Sequence, residues 1–208
     1  MEKVLDVYKR PYSPDFPVVC MDESPKQLIK QTRLPIPMKP GSERKQDYEY
    51  IRSGTCNIFM ANEPLQGKRY VEITERKTKK DWAMFVKKIA DELYPKASLI
   101  TLVMDNLNTH STGAIYEVFP AGEAQRLCGR FNFVYTPKHG SWLNMAEIEL
   151  NVLNGQCLSK RIDKIDEVKR EAKAWADYRN KIDSAIDWQF TAPDARIKLK
   201  RLYPSVED

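Results

Sequence analysis

Two apolar runs in this chain end in the same way. "FPVVCMDES" (16 to 24) and "SLITLVMDN" (98 to 106) are each nearly unbroken apolar stretches rich in β-branched residues, and each ends in an aspartate, Asp22 or Asp105. A strand that is apolar on both faces lies inside a sheet covered on both sides. The pair therefore calls for an α/β architecture with helices flanking its central strands. In open sheets of that kind, sites form at the carboxyl ends of the strands. Either aspartate alone is as well read as a cap on the turn after its strand; two in matching context point to a shared site.

The rest of the pattern fills in the sheet. Pro25, after a charged pair, is expected to end the first strand, and Pro35, Pro37, Pro40 and Gly41 make residues 33 to 46 a loop or an extended edge. "DYEYIRSGTCNIFMANEP" reads as two β-type runs hinged at Ser53-Gly54 and "GKRYVEITE" as a third, an antiparallel meander. The period then changes. "TKKDWAMFVKKIADELYP" opens with a capping box, Thr78 with Asp81, and repeats apolar residues at Trp82, Phe85, Val86, Ile89 and Leu93. Residues 114 to 130 read as helix in pieces, "FNFVYTP" as a further strand, and "TPKHGSWLNMAEIELNVL" as a loop entering an apolar helix. Residues 164 to 182 form another amphipathic helix, and Thr191 with Asp194 caps a last one. The order predicts a mixed five-stranded sheet flanked by helices. The expected organisation is a tail or linker over 1 to 15, the main domain over 16 to 160, and a helical extension over 161 to 208 packed on that domain.

The apolar helix carries two glutamates, and roughly 100° per residue separates them by about 200°. Glu147 falls in a polar sector with Asn144, Asn151 and Asn154, bordering the face that packs on the sheet. Glu149 falls on the far side, between Met145 and Leu153, and reads as a solvated or partner-facing charge. The two cannot share one site, and Glu147 is the candidate ligand. Three carboxylates converging from two strands and a helix repel one another unless cations neutralise them. Mg²⁺ or Mn²⁺ suits such an all-oxygen set, and two ions about 4 Å apart can activate a water or hydroxyl and stabilise the leaving oxygen of a phosphodiester. Asp22, Asp105 and Glu147 are thus candidate metal ligands for phosphoryl transfer.

Composition agrees. With 42% hydrophobic residues the chain can bury a core, and 34 Lys plus Arg against 29 Asp plus Glu, a formal charge of +5, leans toward a polyanionic partner without requiring one. Cys20, Cys56, Cys128 and Cys157 lie far apart with no C-x-x-C, which speaks for reduced, mostly buried thiols over a zinc knuckle or disulfide framework. No signal peptide or membrane-length apolar run is present, so a soluble, cytoplasmic protein is expected, without a small-molecule cofactor.

"VVCMDESPKQL", "LVMDNLNTHS" and "TPKHGSWLNMAEIELNVL" resemble the three blocks of the DDE transposases in the bacterial insertion-sequence branch of the mariner superfamily, and the likeness extends through "PMKPGSERKQDYEY" and "DWQFTAPDARIKLKRLYP". The resemblance implies a ribonuclease-H-like fold over 16 to 160, catalytic acids at Asp22, Asp105 and Glu147, and a nucleoid-associated bacterial enzyme. Such an enzyme cuts DNA at transposon ends and joins the 3′-hydroxyls to target DNA. A homodimer is compatible with it. Members of the family ordinarily carry an N-terminal helix-turn-helix region, whereas only residues 1 to 15 precede the first strand here, so little preference for element ends over random duplex is expected. Two alternatives stay open: a nuclease on the same fold that cleaves without joining, and an inactive DNA-binding remnant.

His110 and His139 sit beside the second and third acids, where contact with the scissile phosphate, orientation of a ligand, or simple loop hydrogen bonding would each suit them. Lys138 fits a phosphate contact or a solvated loop equally well. Glu23 is expected to point to the opposite face of the strand from Asp22. Trp82, Trp175 and Trp188 read as core, Trp142 is open to either reading, and "RIKLKRL" reads as a basic face that is solvated or tracks DNA backbone.

Overall fold

A computed structural model describes residues 1–138 and 140–203, apart from the side chain of Leu202. The expected α/β sheet is present. Strands β1 (Val18–Gln31), β2 (Tyr50–Glu63) and β3 (Lys68–Thr74) form an antiparallel meander, and β4 (Ile100–Met104) and β5 (Phe131–Tyr135) continue it in parallel, in the order β3-β2-β1-β4-β5. The helices are α1 (Glu2–Tyr8), α2 (Lys79–Lys88), α3 (Thr112–Val118), α4 (Ala121–Gly129), α5 (Met145–Leu153), α6 (Ile165–Lys181) and α7 (Ala192–Lys198). Among the described residues no helix is long and apolar enough to cross a membrane.

Strand alternation sorts the core into two halves. Val19, Met21, Phe59, Ala61, Leu102 and Met104 face one side, where α2, α3 and α4 cover them with Trp82, Phe85, Ile115 and Leu127. Cys20, Ile58, Met60, Val103 and Val134 face the other, beneath α1, α5, α6 and α7. Both expected capping boxes are formed, Thr78 with Asp81 and Thr191 with Asp194. All four cysteines are free; Cys20 and Cys56 are buried, the other two half-buried.

Three details differ from the sequence reading. Part of the expected tail is α1, whose Val4, Leu5 and Val7 are buried in the second half-core and whose Glu2 carboxylate accepts two bonds from Arg196 of α7. Pro25 does not end β1, because pairing with β4 covers only Val18–Cys20 and leaves an outer edge beyond it. Asn144 and Ile162 satisfy the Met21 carbonyl and the Ile29 N–H along that edge. Pro25 shares the odd-numbered alternation of Met21 and Ile29, so no ladder bond is lost there. The hinge at Ser53-Gly54 is a bulge inside one strand. Both residues oppose Leu28, and Gly54 takes a φ of 99°, which relieves the extra residue without breaking β2.

The C-terminal segment is tied to the meander at one turn. Ile186 donates its N–H to Pro64 O at 3.0 Å, and Gly67 has a φ of 59°. A Cβ on Gly67 would lie 2.7 Å from backbone atoms of Asp183, Ser184 and Ala185. Gly67→Ala is therefore expected to cost about 2–4 kcal/mol, from left-handed strain plus overpacking. Urea unfolding followed by circular dichroism measures it, and a loss below about 1 kcal/mol would contradict the close approach.

Candidate active site

The even-odd alternation of the sheet places the aspartates. Asp22 follows Cys20, and Asp105 follows Val103, so each continues the alternation of a residue that faces α5. Helix α5 is registered on β1 by Asn144. Its side-chain Oδ1 accepts from Ala146 N at 3.2 Å as the helix N-cap, while its amide donates to Met21 O at 2.7 Å, next to Asp22. Glu147 sits in the first turn that follows. Asp22, Asp105 and Glu147 accordingly line one open cleft of about 400 Å³, together with Ser24, Lys77, Leu150 and Asn151. Leu150 and Asn151 share the cleft face of α5 with Glu147, as their spacing of three and four residues requires.

The cleft is crowded with negative charge. Burial pushes the Asp22 carboxyl up to about 7, and the charges of Asp105, Glu23 and Glu147 add to that against the Glu23 N–H donated to its Oδ1. Among the described residues neither Asp22 nor Glu147 has a cationic partner. Asp105 has one. His110 Nδ1 lies 2.6 Å from Asp105 Oδ1 and its Nε2 lies 3.1 Å from Glu23 Oε2, with the ring stacked on Trp82 at 5.6 Å. Both ring nitrogens meet carboxylate oxygens, which suits the doubly protonated ring. Burial opposes that charge, but the two carboxylates outweigh it and carry His110 up to about 9. Glu23 does point away from Asp22, as expected, and there it completes the far side of this histidine's cage. Tyr135 Oη donates to His110 O at 3.0 Å, and Ser111 caps α3 immediately after it. Of the three readings of His110, the geometry fits orientation of Asp105.

Glu149 corrects the sequence reading. It is not solvated: with 1% of its surface exposed, it lies between Arg69 of β3 and Arg179 of α6. Its Oε2 is 2.8 Å from Arg69 Nε, and its Oε1 accepts from Arg69 Nη2 at 3.3 Å and Arg179 Nη2 at 3.1 Å. Both guanidiniums lie over the Trp175 ring, at 5.9 and 5.6 Å. Asn180 brackets the Arg69 backbone with two 2.8 Å bonds, and Ser184 O accepts from Arg69 at 2.6 Å. A carboxylate on an apolar helix sector is tolerated because two guanidiniums pair with it at close range. The expectation that the two glutamates occupy separate sites holds.

Lys138 is exposed and lines a neighbouring cavity of about 410 Å³ with Glu2, Trp142 and Tyr203 rather than the acidic cleft. His139 lies outside the described residues. Trp142 is partly exposed and meets Phe190 edge to face at 5.6 Å; Trp82 and Trp175 are core, and Trp188 packs against it. Sequence reasoning missed Lys77 as a cleft residue and Asn144 as the register pin. The Asn-x-x-Glu spacing at the start of α5 was the available signal for the second.

The donor set fits a hard divalent cation: carboxylate oxygens from three elements, Asp22 and Glu147 without cationic partners, around an open, water-accessible cleft. Among the described residues no three such side chains are drawn together tightly enough to enclose an ion as they stand.

The family described as DDE superfamily endonuclease matches residues 17–169. No curated protein sequence matches. Among solved structures, the Mos1 mariner paired-end complex with Mn is similar at a TM-score of 0.60 and 16% identity, covering 88% of this chain and 54% of that one. The Mos1 strand transfer complex is similar at 0.58 and 18%, covering 85% and 51%. The Mos1 paired-end complex with Mg gives 0.51 and 16%, covering 88% and 54%. The chain thus spans about half the length of these transposase chains, and the likeness is one of fold: the ribonuclease-H-like sheet expected from the sequence.

The two glutamates give opposite expectations for stability. Glu149→Gln strands the buried Arg69 guanidinium and the half-buried Arg179 one and is expected to cost about 3–5 kcal/mol. Glu147→Gln removes a repelling, unpaired carboxylate and leaves stability unchanged or slightly raised. Parallel urea titrations read both, and equal midpoints would contradict the assignment.

Proposed function

Because the chain belongs to the DDE superfamily endonuclease family, we propose that it is the catalytic part of a transposase, cutting DNA at transposon ends and joining the freed 3′-hydroxyls to target DNA. The observation that carries this reading is the single cleft into which β1, β4 and α5 bring Asp22, Asp105 and Glu147. The Mn and Mg complexes of Mos1 add support for divalent metal chemistry on this fold.

In this reading Asp22, Asp105 and Glu147 would hold two Mg²⁺ or Mn²⁺ ions. When bound, such ions supply Lewis-acid activation of the attacking oxygen and stabilisation of the leaving one. The protein's own residues set the stage. His110 Nδ1, 2.6 Å from Asp105 Oδ1, would hold that carboxylate's orientation. The Glu23 N–H does the same for Asp22 Oδ1 at 2.8 Å. Asn144 holds α5 in register so that Glu147 lines the same cleft as both aspartates, and Glu149 restrains the helix from rotating. In the cutting step a water oxygen bonds to the scissile phosphorus, the bond to the 3′-oxygen breaks, and that oxygen leaves as the 3′-hydroxyl. In the joining step the 3′-hydroxyl attacks a target phosphodiester, whose own 3′-oxygen departs as a hydroxyl. Both steps exchange one P–O bond for another and need no redox partner. DNA as the partner also accords with the formal charge of +5.

The test is single-turnover cleavage and joining on a duplex bearing the transposon ends, with Mg²⁺ or Mn²⁺. Asp22→Asn, Asp105→Asn and Glu147→Gln are each expected to slow cleavage at least ~10²-fold with DNA binding nearly intact, since each removes charge that stabilises the transition state. Cleavage without joining would favour a plain nuclease, and a folded protein that cuts no DNA would favour an inactive remnant.

A further inference from the structure

Resting on that reading, we infer that residues 75 to 80 ("ERKTKK"), the turn between β3 and α2 together with the start of α2, are the wall of the cleft that grips the DNA backbone, with Lys77 contacting a phosphate next to the scissile one. The cleft has a charge problem that its acids create. The carboxylates of Asp22, Asp105 and Glu147 line it, and a DNA strand crossing it brings further negative charge that cations at the metal positions offset only locally. Lys77 is the one cationic side chain among the described residues lining the cleft. It is exposed, and no carboxylate among the described residues pairs with it, although those of Asp22, Asp105 and Glu147 stand around the same space. Arg76 on the same turn and Lys80 in the first turn of α2, both exposed and without a carboxylate partner among the described residues, extend the positive edge outward. Lys79 is different: it pairs with Glu117 of α3 at 2.7 Å and serves to anchor α2.

The turn is held before any ligand arrives. Asn57 Nδ2 donates to Glu75 O at 3.3 Å, and the Thr74 hydroxyl donates to Arg76 O at 2.5 Å. Thr78 and Asp81 close the capping box on the far side. Both flanks of Lys77 are therefore fixed by side-chain bonds to backbone. A contact made from a pinned backbone loses less freedom on binding than one from a loose loop. Nothing in this turn resembles a base-reading element. Lysine and arginine on a turn grip phosphates as charges and fix the strand's position without sequence preference.

The experiment compares the full chain with Lys77→Ala, Arg76→Ala/Lys80→Ala and, as control, Lys96→Ala. Lys96 is exposed in the connection that enters β4 at the end opposite the cleft. DNA affinity is measured by fluorescence anisotropy across a salt series, and cleavage by single turnover as a function of DNA concentration. Lys77→Ala is expected to reduce the magnitude of the log-log salt slope by about 0.7–0.9, one phosphate contact. It is also expected to raise the half-saturating DNA concentration several-fold, with Mn²⁺ binding unchanged. The double variant should reduce the slope further and Lys96→Ala not at all. A Lys77→Ala slope and affinity equal to the unmodified protein's would overturn the inference, as would a drop no larger than that of Lys96→Ala or no DNA binding by the unmodified protein. The binding arm decides this inference whether or not cleavage occurs; absent cleavage with an intact Lys77 effect on binding would count against the parent reading alone.

Discussion

The closure of Glu149 between Arg69 and Arg179 is the constraint on which the geometry of the cleft depends. Helix α5 is strongly apolar and could slide or turn on the sheet at little cost if packing alone held it, because aliphatic contacts are non-directional. A buried carboxylate that must keep two guanidiniums within hydrogen-bond distance admits one rotation. Two residues earlier on the same helix, that rotation turns Glu147 toward Asp22 and Asp105. The network also joins three parts of the chain, β3, α5 and α6, so α6 contributes to the site without touching the cleft. Asn144 supplies the second coordinate, the position of α5 along β1, through its bond to Met21 O. One residue fixes rotation and the other fixes register.

The two kinds of buried charge in this protein are handled in opposite ways. Around Glu149, opposite charges are matched and closed off from water, which confers rigidity. In the cleft, like charges are gathered and left unmatched apart from the His110 bridge between Asp105 and Glu23. Such a gathering costs stability and is sustained by the rest of the fold. The raised Asp22 pKa of about 7 registers that cost, with burial its largest cause. An arrangement that is unfavourable when empty and favourable around divalent cations is what phosphoryl transfer by positioned metals demands.

Much of this was legible in the sequence. The two apolar runs ending in aspartate gave the central strands and two of the acids, and the helical period singled out Glu147 over Glu149. What escaped depended on partners distant along the chain. Glu149 was placed correctly between Met145 and Leu153, yet burial of a charge there follows only once Arg69, 80 residues away, is known to face it. Arg69 itself alternates with Val71 and Ile73 on the inward face of β3, a sign of a buried cation that goes unrecognised without its counter-ion. Pro25 and Ser53-Gly54 looked like breaks because local rules ignore which edge of a strand is free and which residue can bulge. The helix at residues 2 to 8 is short, and its packing on the second half-core rather than its own propensity makes it a helix.

The central claim is that Asp22, Asp105 and Glu147 form one metal-binding cleft. Its most direct test is the anomalous scattering of Mn²⁺ in crystals of this protein. The account predicts a strong peak within coordination distance of Asp22 and Asp105 and close to Glu147, lost in crystals of Asp22→Asn. A well-ordered Mn²⁺ bound elsewhere, with the three carboxylates still apart and the cleft filled only by water, would contradict it.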